Sequence, residues 1–279
     1  MKNLKSYNGD CFEIHKKAVA KKHTSELKTR LELLSPLVEI EYKVFDEKFS
    51  LKELHKLASN ATLFAAKEDL TTLYSYQSSV IISLRESIRK LQIKTIVSTC
   101  QNCTIDSANS FDHILPKSKF PDFIVNPKNL FPCCTTCNSH KLNSINEGGN
   151  DVFLNLYLDE LPITQYLFVD VFLDKYNELN FRYYLNNVGN KINEDFFNVI
   201  VNHYTKLHLF ERMRLKSIEY ISELETKILT FKHRLSLDTI VNDITNAANI
   251  DKEAYGHNHW RCILEIALVN SPLFIDKYR

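Results

Sequence analysis

Two Cys-x-x-Cys pairs constrain the fold of this chain more than any other feature of its sequence. Cys100 and Cys103 form the first pair, and Cys134 and Cys137 form the second. Four thiolates in paired knuckles are a common ligand set for a structural zinc ion, which binds them in a tetrahedron. We therefore expect these cysteines to hold Zn²⁺ and to join the two ends of the segment between them.

Two disulfides are the alternative use of the same four cysteines. Residues 1–17 contain no apolar run typical of a signal peptide, so we expect a cytoplasmic protein with reduced thiols. The paired spacing then favours zinc. Cys133 could compete with Cys134 as a ligand, but Cys134 has the standard two-residue spacing to Cys137, so we expect Cys133 to pack in the interior.

Polar residues between and beside the cysteines are suited to hydrolytic chemistry. An imidazole can take a proton from water near neutral pH, and carboxylate and amide oxygens suit Mg²⁺ or Mn²⁺. On a strand, adjacent side chains face opposite sides, so one member of an Asp-His pair can face a metal while the other faces water. The candidates, in chain order, are Asp112, His113, Asn129, Asn138 and Lys141.

A helix that begins near Thr135 would separate two of these functions. It would place Cys137 and Asn138 about 100° apart around its axis, so that one binds zinc and the other faces the hydrolytic site. Lys141 would lie on the same face as Asn138, where it could contact a phosphate. We predict that the helix ends at Gly148-Gly149.

The motif segment resembles the HNH, or ββα-metal, nuclease superfamily over about 45 of the 279 residues. The resemblance implies a first strand over Phe111–Leu115, a second strand over Asn129–Cys133, and then the helix. A proline-rich loop between the strands would shape the substrate groove. The implied activity is metal-dependent hydrolysis of phosphodiester bonds, with structural Zn²⁺ and catalytic Mg²⁺ or Mn²⁺ as cofactors.

The resemblance also implies a role for each polar residue of the motif. His113 matches the general base, Asp112 and Asn138 match the metal ligands, and Asn129 matches the asparagine that orients the base. The family often has histidine where this chain has Asn138, so the pattern is that of the HNN variant. His140 is an alternative ligand, although on a helix it should point away from Asn138.

Lysines near the motif are the predicted contacts to nucleic acid, with DNA as the favoured substrate. They are Lys117, Lys119 and Lys141. The net charge of +1 does not indicate a nucleic-acid-binding protein, but residues 1–30 carry eight basic against three acidic residues, a local charge of +5. This region is the better electrostatic candidate for binding a phosphate backbone, and a solvated helix face is the alternative explanation.

The rest of the chain predicts an α+β protein that is mostly helical, with the ββα-metal module and its zinc clamp set among helical segments. We expect a helical region over 1–96, the module over 97–150, and a small β-meander followed by helices over 151–279. The expected strands of the meander are Val152–Leu158, Tyr166–Leu173 and Asn180–Leu185. The expected helices include the Gly- and Pro-free stretch Leu70–Ile93, a helix N-capped near Asn193 that continues to about Leu235, and helices near 237–248 and 251–269.

The sequence thus favours a metal-dependent HNH endonuclease, and the main alternative is a non-catalytic zinc module that binds nucleic acid or protein. No run of apolar residues is long enough to span a membrane. One metal of this type cuts one strand, so cleavage of both strands would require an oligomer or two binding events. A looser likeness to defence-associated HNH proteins, such as the nuclease subunit of Septu-type systems, suggests an SMC-like ATPase as partner by analogy. Residues 151–199, with three basic and eight acidic residues, would be a protein-docking surface.

Overall fold

The structure is a computed structural model that describes residues 1–142, 146–147 and 150–279. Helices make up 55% of the chain, which fits the predicted α+β class with helices in the majority. No helix of the described residues is both long and apolar enough to cross a membrane. The helices are α1 (Cys11–Ala20), α2 (Glu26–Ser50), α3 (Ala61–Ala65), α4 (Lys67–Thr71), α5 (Ser79–Leu91), α6 (Thr135–Lys141), α7 (Glu194–Lys206), α8 (Leu209–Phe231), α9 (Leu237–Tyr255), α10 (Trp260–Val269) and α11 (Pro272–Ile275).

The strands are short, and each strand of the described residues pairs with its neighbour in sequence. They are β1 (Ser110–His113), β2 (Leu130–Cys133), β3 (Asn146–Glu147), β4 (Asn150–Asp151), β5 (Leu167–Leu173) and β6 (Leu179–Leu185). The pairs β1–β2, β3–β4 and β5–β6 are all antiparallel. Each pair must rely on packing against other elements, because an isolated two-stranded sheet is at best marginally stable.

The chain divides into two compact units. The motif unit comprises Asn3–Asn102 and Ser107–Glu160, and the C-terminal unit comprises Met1–Lys2, Cys103–Asp106 and Leu161–Arg279. The motif unit has one hydrophobic core in which side chains from the N-terminal helices pack with side chains from the motif segment. Its members include Leu31, Val38, Phe45, Ile81, Leu84 and Ile88 from the helices, and Phe111, Leu115, Phe123 and Leu130 from the motif segment.

Two strands and a helix follow one another in the motif segment, as the sequence predicts. In the β1–β2 register Ser110 lies opposite Cys133 and His113 lies opposite Leu130. The helix α6 then begins at Thr135, as expected, but it ends at Lys141. The predicted stop at Gly148-Gly149 lies outside the described residues.

The predicted helix over Leu70–Ile93 is interrupted in the structure. Helix α4 ends at Thr71, and α5 begins only at Ser79. Ser78 N-caps α5 by accepting a hydrogen bond from the backbone N–H of Ile81. A serine in this role competes with helix continuation, which the absence of Gly and Pro did not reveal.

The predicted three-stranded meander is wrong in its first strand. Strands β5 and β6 form a hairpin, but no strand covers 152–158. There, the Asp159 carboxylate accepts a hydrogen bond from the Asn155 N–H, and the Asn155 side chain accepts one from the Tyr157 N–H. Local side-chain bonds of this kind stabilise turns at the expense of extended structure.

The C-terminal helices follow the prediction with two corrections. Asn193 caps α7 as predicted, by accepting a hydrogen bond from the Phe196 N–H. The helix that follows does not run unbroken to Leu235, because His208 has a left-handed φ of 52° and separates α7 from α8. Likewise, the break between the last long helices lies at Gly256, whose φ of 109° suits glycine, and not near residue 250.

His15 should make the stability of the protein depend on pH. It is buried on α1, where its Nε2 lies 3.0 Å from the Ser35 hydroxyl, and burial lowers its pKa to about 4. An unfolded histidine has a pKa of about 6.5, so the unfolded chain takes up a proton between these two values. The stabilisation is therefore complete above about pH 6.5 and is lost as the pH falls towards 4, by at most about 3 kcal/mol.

We expect His15→Gln to flatten the pH dependence of the free energy of unfolding between pH 6.5 and 4 by roughly 2–3 kcal/mol, measured by urea denaturation. The exposed His55 provides the control, since His55→Gln removes a histidine that is not buried. Equal pH profiles for His15→Gln and His55→Gln would contradict this assignment.

Candidate functional site

The four predicted cysteine ligands come together in the structure. Cys100, Cys103, Cys134 and Cys137 are buried, and their Sγ atoms all lie within 4.8 Å of one another. Zinc–sulfur bonds of about 2.3 Å in a tetrahedron would separate the sulfurs by about 3.8 Å, so the thiols are placed to hold such an ion. No disulfide competes with this use, because none joins any of the seven cysteines, all of which lie in the described part of the chain. The prediction that these four cysteines come together is confirmed, and they lie close enough to hold a metal ion.

Backbone N–H groups support the two cysteine knuckles. The Ile105 N–H donates to Cys103 Sγ at 3.4 Å, and the Cys137 N–H donates to Cys134 Sγ at 3.3 Å. Donors of this kind stabilise thiolate charge, which metal binding requires. Cys133 is buried outside the cluster, and burial raises the pKa of its thiol well above the usual range.

His113 is held as a neutral imidazole with a defined tautomer. Its Nε2 lies 2.9 Å from the backbone carbonyl oxygen of Ile124. Because a carbonyl can only accept, Nε2 must carry the proton, and Nδ1 is the nitrogen that can accept one. Burial lowers the pKa of His113 to about 4, so the ring is neutral at neutral pH, with a single proton on Nε2. A general base needs this state.

Asn129 holds the loop that carries Ile124. Its fully buried side chain accepts a hydrogen bond from the Leu115 N–H at 2.7 Å. It also donates to the carbonyl oxygens of Leu115 and Phe123, both at 3.1 Å. The amide therefore ties the chain just after β1 to the segment that supplies the Ile124 carbonyl, and in this way it positions the imidazole of His113.

Asp112 forms a buried ion pair with Lys141. The Lys141 Nζ lies 2.6 Å from an Asp112 carboxylate oxygen, and it also donates to the backbone oxygens of His113 and Ile114. Burial raises the pKa of Asp112, and the ammonium of Lys141 acts in the opposite direction. The sequence predicts a phosphate contact for Lys141, whereas the structure places it against Asp112 and two carbonyl groups.

Asn138 lies on the side of α6 that faces β1. Its Nδ2 donates to the Ser110 hydroxyl at 3.1 Å and to the Phe111 carbonyl oxygen at 3.2 Å. The carbonyl fixes which end of the amide is nitrogen, so Oδ1 is the end available as an oxygen ligand. Asn138 and Lys141 thus approach β1 from the same helix. Asn138 contacts the residues just before Asp112, and Lys141 contacts Asp112 itself.

Tyr74 contacts the imidazole of His113, and sequence reasoning missed it. The two ring centroids are 4.7 Å apart, with the rings inclined at 69°. The Lys117 ammonium lies 5.8 Å from the Tyr74 ring centroid, and both Lys117 and Lys119 are exposed. Tyr74 lies in the interruption between α4 and α5, where the sequence predicts a helix. The signal for the break was Ser78, a residue type that often caps helices.

The basic N-terminal region contributes to a groove between α1 and α5. Lys17 and Lys21 line it together with hydroxyl groups from Tyr7, Ser79 and Ser83, and its volume is about 560 Å³. Exposed lysines of the N-terminal region thus face a concave surface here. The groove is compatible with the predicted electrostatic role of residues 1–30.

Comparisons of the chain with protein-family models, curated proteins and solved structures found no match. The function of the site therefore has to be argued from its own residues. The contacts around His113, Asp112 and Asn138, together with the cysteine cluster, provide that argument.

The cysteine cluster should bind one zinc ion per chain. We expect Cys137→Ser to lose the metal and to melt at a lower temperature, because structural zinc contributes directly to folding. Cys133→Ser is the matched control, since Cys133 is a buried neighbour outside the cluster. Elemental analysis and thermal melting test the expectation, and full zinc content in Cys137→Ser would refute it.

The amide of Asn129 should matter more for stability than the amide of Asn126, although both side chains are fully buried. Asn129→Ala leaves the N–H and the carbonyl of Leu115 without this partner and removes one of two donors to the Phe123 carbonyl, and we expect a loss of about 3 kcal/mol or more in urea denaturation. Asn126 accepts one bond, from the Lys128 N–H, so Asn126→Ala should cost about 1 kcal/mol. Equal losses would show that Asn129 does not hold the loop as described.

Proposed function

We propose that this protein is a metal-dependent endonuclease of the HNH type that hydrolyses phosphodiester bonds, with DNA as the favoured substrate. The observation that carries the proposal is the state of His113. A buried, neutral imidazole has one nitrogen bonded to the Ile124 carbonyl and the other left as a proton acceptor. The same segment supplies two hard oxygen donors, Asp112 and Asn138, and the cysteine cluster, which supports a catalytic role for this histidine.

The ligands proposed for the catalytic ion are the Asp112 carboxylate and the Oδ1 of Asn138. Both are hard oxygen donors, which Mg²⁺ and Mn²⁺ prefer, and Mg²⁺ commonly takes its other ligands from water and substrate phosphate. When bound, such an ion stabilises the negative charge that develops on the leaving oxygen. Lys141 compensates the charge of Asp112 in this structure, so we infer that the ammonium shares or releases the carboxylate when a metal binds.

His113 would act on the attacking water. Its Nδ1 accepts one proton as the water oxygen forms a bond to phosphorus, and the bond from phosphorus to the leaving oxygen breaks. The resulting imidazolium keeps its Nε2–H donated to the Ile124 carbonyl, whose partial negative charge stabilises the cation. Asn129 contributes by holding the segment that contains this carbonyl.

A non-catalytic zinc module is the second candidate, and one observation favours it. The Asp112–Lys141 ion pair already neutralises the carboxylate, as a purely structural site would require. The proposed defence context, with an SMC-like ATPase as partner and possible oligomers, rests on the likeness in sequence alone. It would give the acidic segment 151–199 a docking role.

Removing the imidazole of His113 should slow cleavage strongly while leaving the zinc cluster intact. We expect His113→Ala to cleave plasmid DNA, or RNA if that is the substrate, about 10²–10⁴-fold more slowly than wild type in the presence of Mg²⁺ or Mn²⁺. Its zinc content should be unchanged. His140→Ala is the control within the same motif and should retain activity.

The rival outcomes of this assay are distinct. Wild-type activity in His113→Ala would show that the base is misassigned, and loss of activity in His140→Ala would make that histidine the overlooked ligand. A zinc-loaded wild-type protein that cleaves neither DNA nor RNA with either ion would favour the binding module.

A further inference from the structure

The chain between α4 and α5 contacts the strand that carries the proposed general base. In this segment, residues 72–78, the Tyr74 ring contacts His113, and the Tyr76 ring lies 6.2 Å from the Phe111 ring at an angle of 79°. The segment is built of turns, in which the Tyr74 N–H donates to the Thr71 carbonyl and the Ser78 N–H donates to the Ser75 carbonyl, and both tyrosines meet β1 from it. The N-terminal helical region thus supplies side chains at the edge of the proposed active site.

Each of these tyrosines carries a cation over its ring. The Arg85 guanidinium carbon lies 4.3 Å from the Tyr76 ring centroid, and the Lys117 ammonium lies 5.8 Å from that of Tyr74. Arg85 comes from α5 and is half-buried, whereas Lys117 follows β1 and is exposed. Two different parts of the chain therefore bring positive charge to the same two-tyrosine segment.

Neither cation is neutralised by a carboxylate among the residues that the structure describes. Other basic residues of the motif unit do have such partners, for example Arg89 with Glu86 and Lys128 with Asp46. An aromatic ring attracts a cation and restricts its motion without cancelling its charge. Lys117 is thus held over the ring that contacts His113, and Arg85 is held over the ring that contacts Phe111 on the same strand, while their charges remain available to an anion.

We propose that Arg85 and Lys117, seated on Tyr76 and Tyr74, bind two backbone phosphates of the nucleic acid whose scissile bond is presented to His113. The inference rests on the proposed nuclease function and adds the binding residues that orient its substrate. A guanidinium can stack on a ring and still direct its N–H groups at phosphate oxygens. A cation lies over one face of each ring, which favours contact with the phosphate backbone over stacking on bases.

Salt-dependent binding of a short fluorescent DNA duplex to the full-length protein tests the proposal, in buffer without Mg²⁺ or Mn²⁺ so that no cleavage interferes. Each lost phosphate contact lowers the slope of log Kd against log salt concentration by about 0.9. We expect this change for Arg85→Gln and for Lys117→Gln, with affinity at low salt roughly 5–10-fold weaker in each.

Lys90→Gln is the matched control, because Lys90 is an exposed cation on the same helix and rests on no ring. It should keep the wild-type slope. The rings have their own test, since Tyr76→Phe should retain the slope and Tyr76→Leu should weaken binding in the direction of Arg85→Gln. Slopes of Arg85→Gln and Lys117→Gln equal to that of Lys90→Gln would overturn the inference.

Cleavage assays separate this inference from the proposed function. A wild-type protein that cleaves DNA while both charge variants keep its salt slope refutes the phosphate contacts alone. A protein whose binding shows the expected loss of slope, yet which cleaves nothing, retains the phosphate contacts and loses the assigned hydrolysis.

Discussion

Three hydrogen bonds hold the candidate site in place, and the buried amide of Asn129 accepts one of them and donates two. They join the backbone of Leu115, two residues after β1, to the carbonyl of Phe123. The next carbonyl along the chain, that of Ile124, receives the Nε2–H of His113. The tautomer of the proposed base therefore depends on a side chain that need not touch the substrate. A loop conformation that broke these bonds would leave buried polar groups unpaired, which would raise its free energy.

The charge balance of the site depends on a second buried contact. Asp112 and Lys141 are both buried, and each would be expensive to bury without its partner. Asp112 lies on β1, and Lys141 lies on α6 together with Asn138. Any divalent ion bound to Asp112 and Asn138 would therefore have to compete with the Lys141 ammonium. The metal affinity of the proposed active site should accordingly be set by how readily Lys141 gives up the carboxylate.

The N-terminal helices support the motif in two ways. Their apolar side chains form one core with Phe111, Leu115, Phe123 and Leu130, and so keep the short β1–β2 pair from standing alone. Their loop also places Tyr74 against His113 and Tyr76 against Phe111. Packing and proposed substrate contact thus come from the same region, which a description limited to the motif segment would have omitted.

Local spacing along the chain was sufficient to predict the cysteine cluster, the start of α6 at Thr135 and the cap at Asn193, and the resemblance of the motif segment to a nuclease family implied the order of two strands and a helix. Each depends on residues that are near in sequence or on a ligand set with fixed geometry. The helix break over 72–78, the position of Lys141 against Asp112 and the carbonyl partner of His113 could not be predicted in this way. They depend on side chains and backbone oxygens brought together from distant segments, and a backbone carbonyl has no signature in sequence. The residue types determined which chemistry is possible, and the tertiary structure decided which atoms face one another, because burial and hydrogen bonding are satisfied over the whole fold.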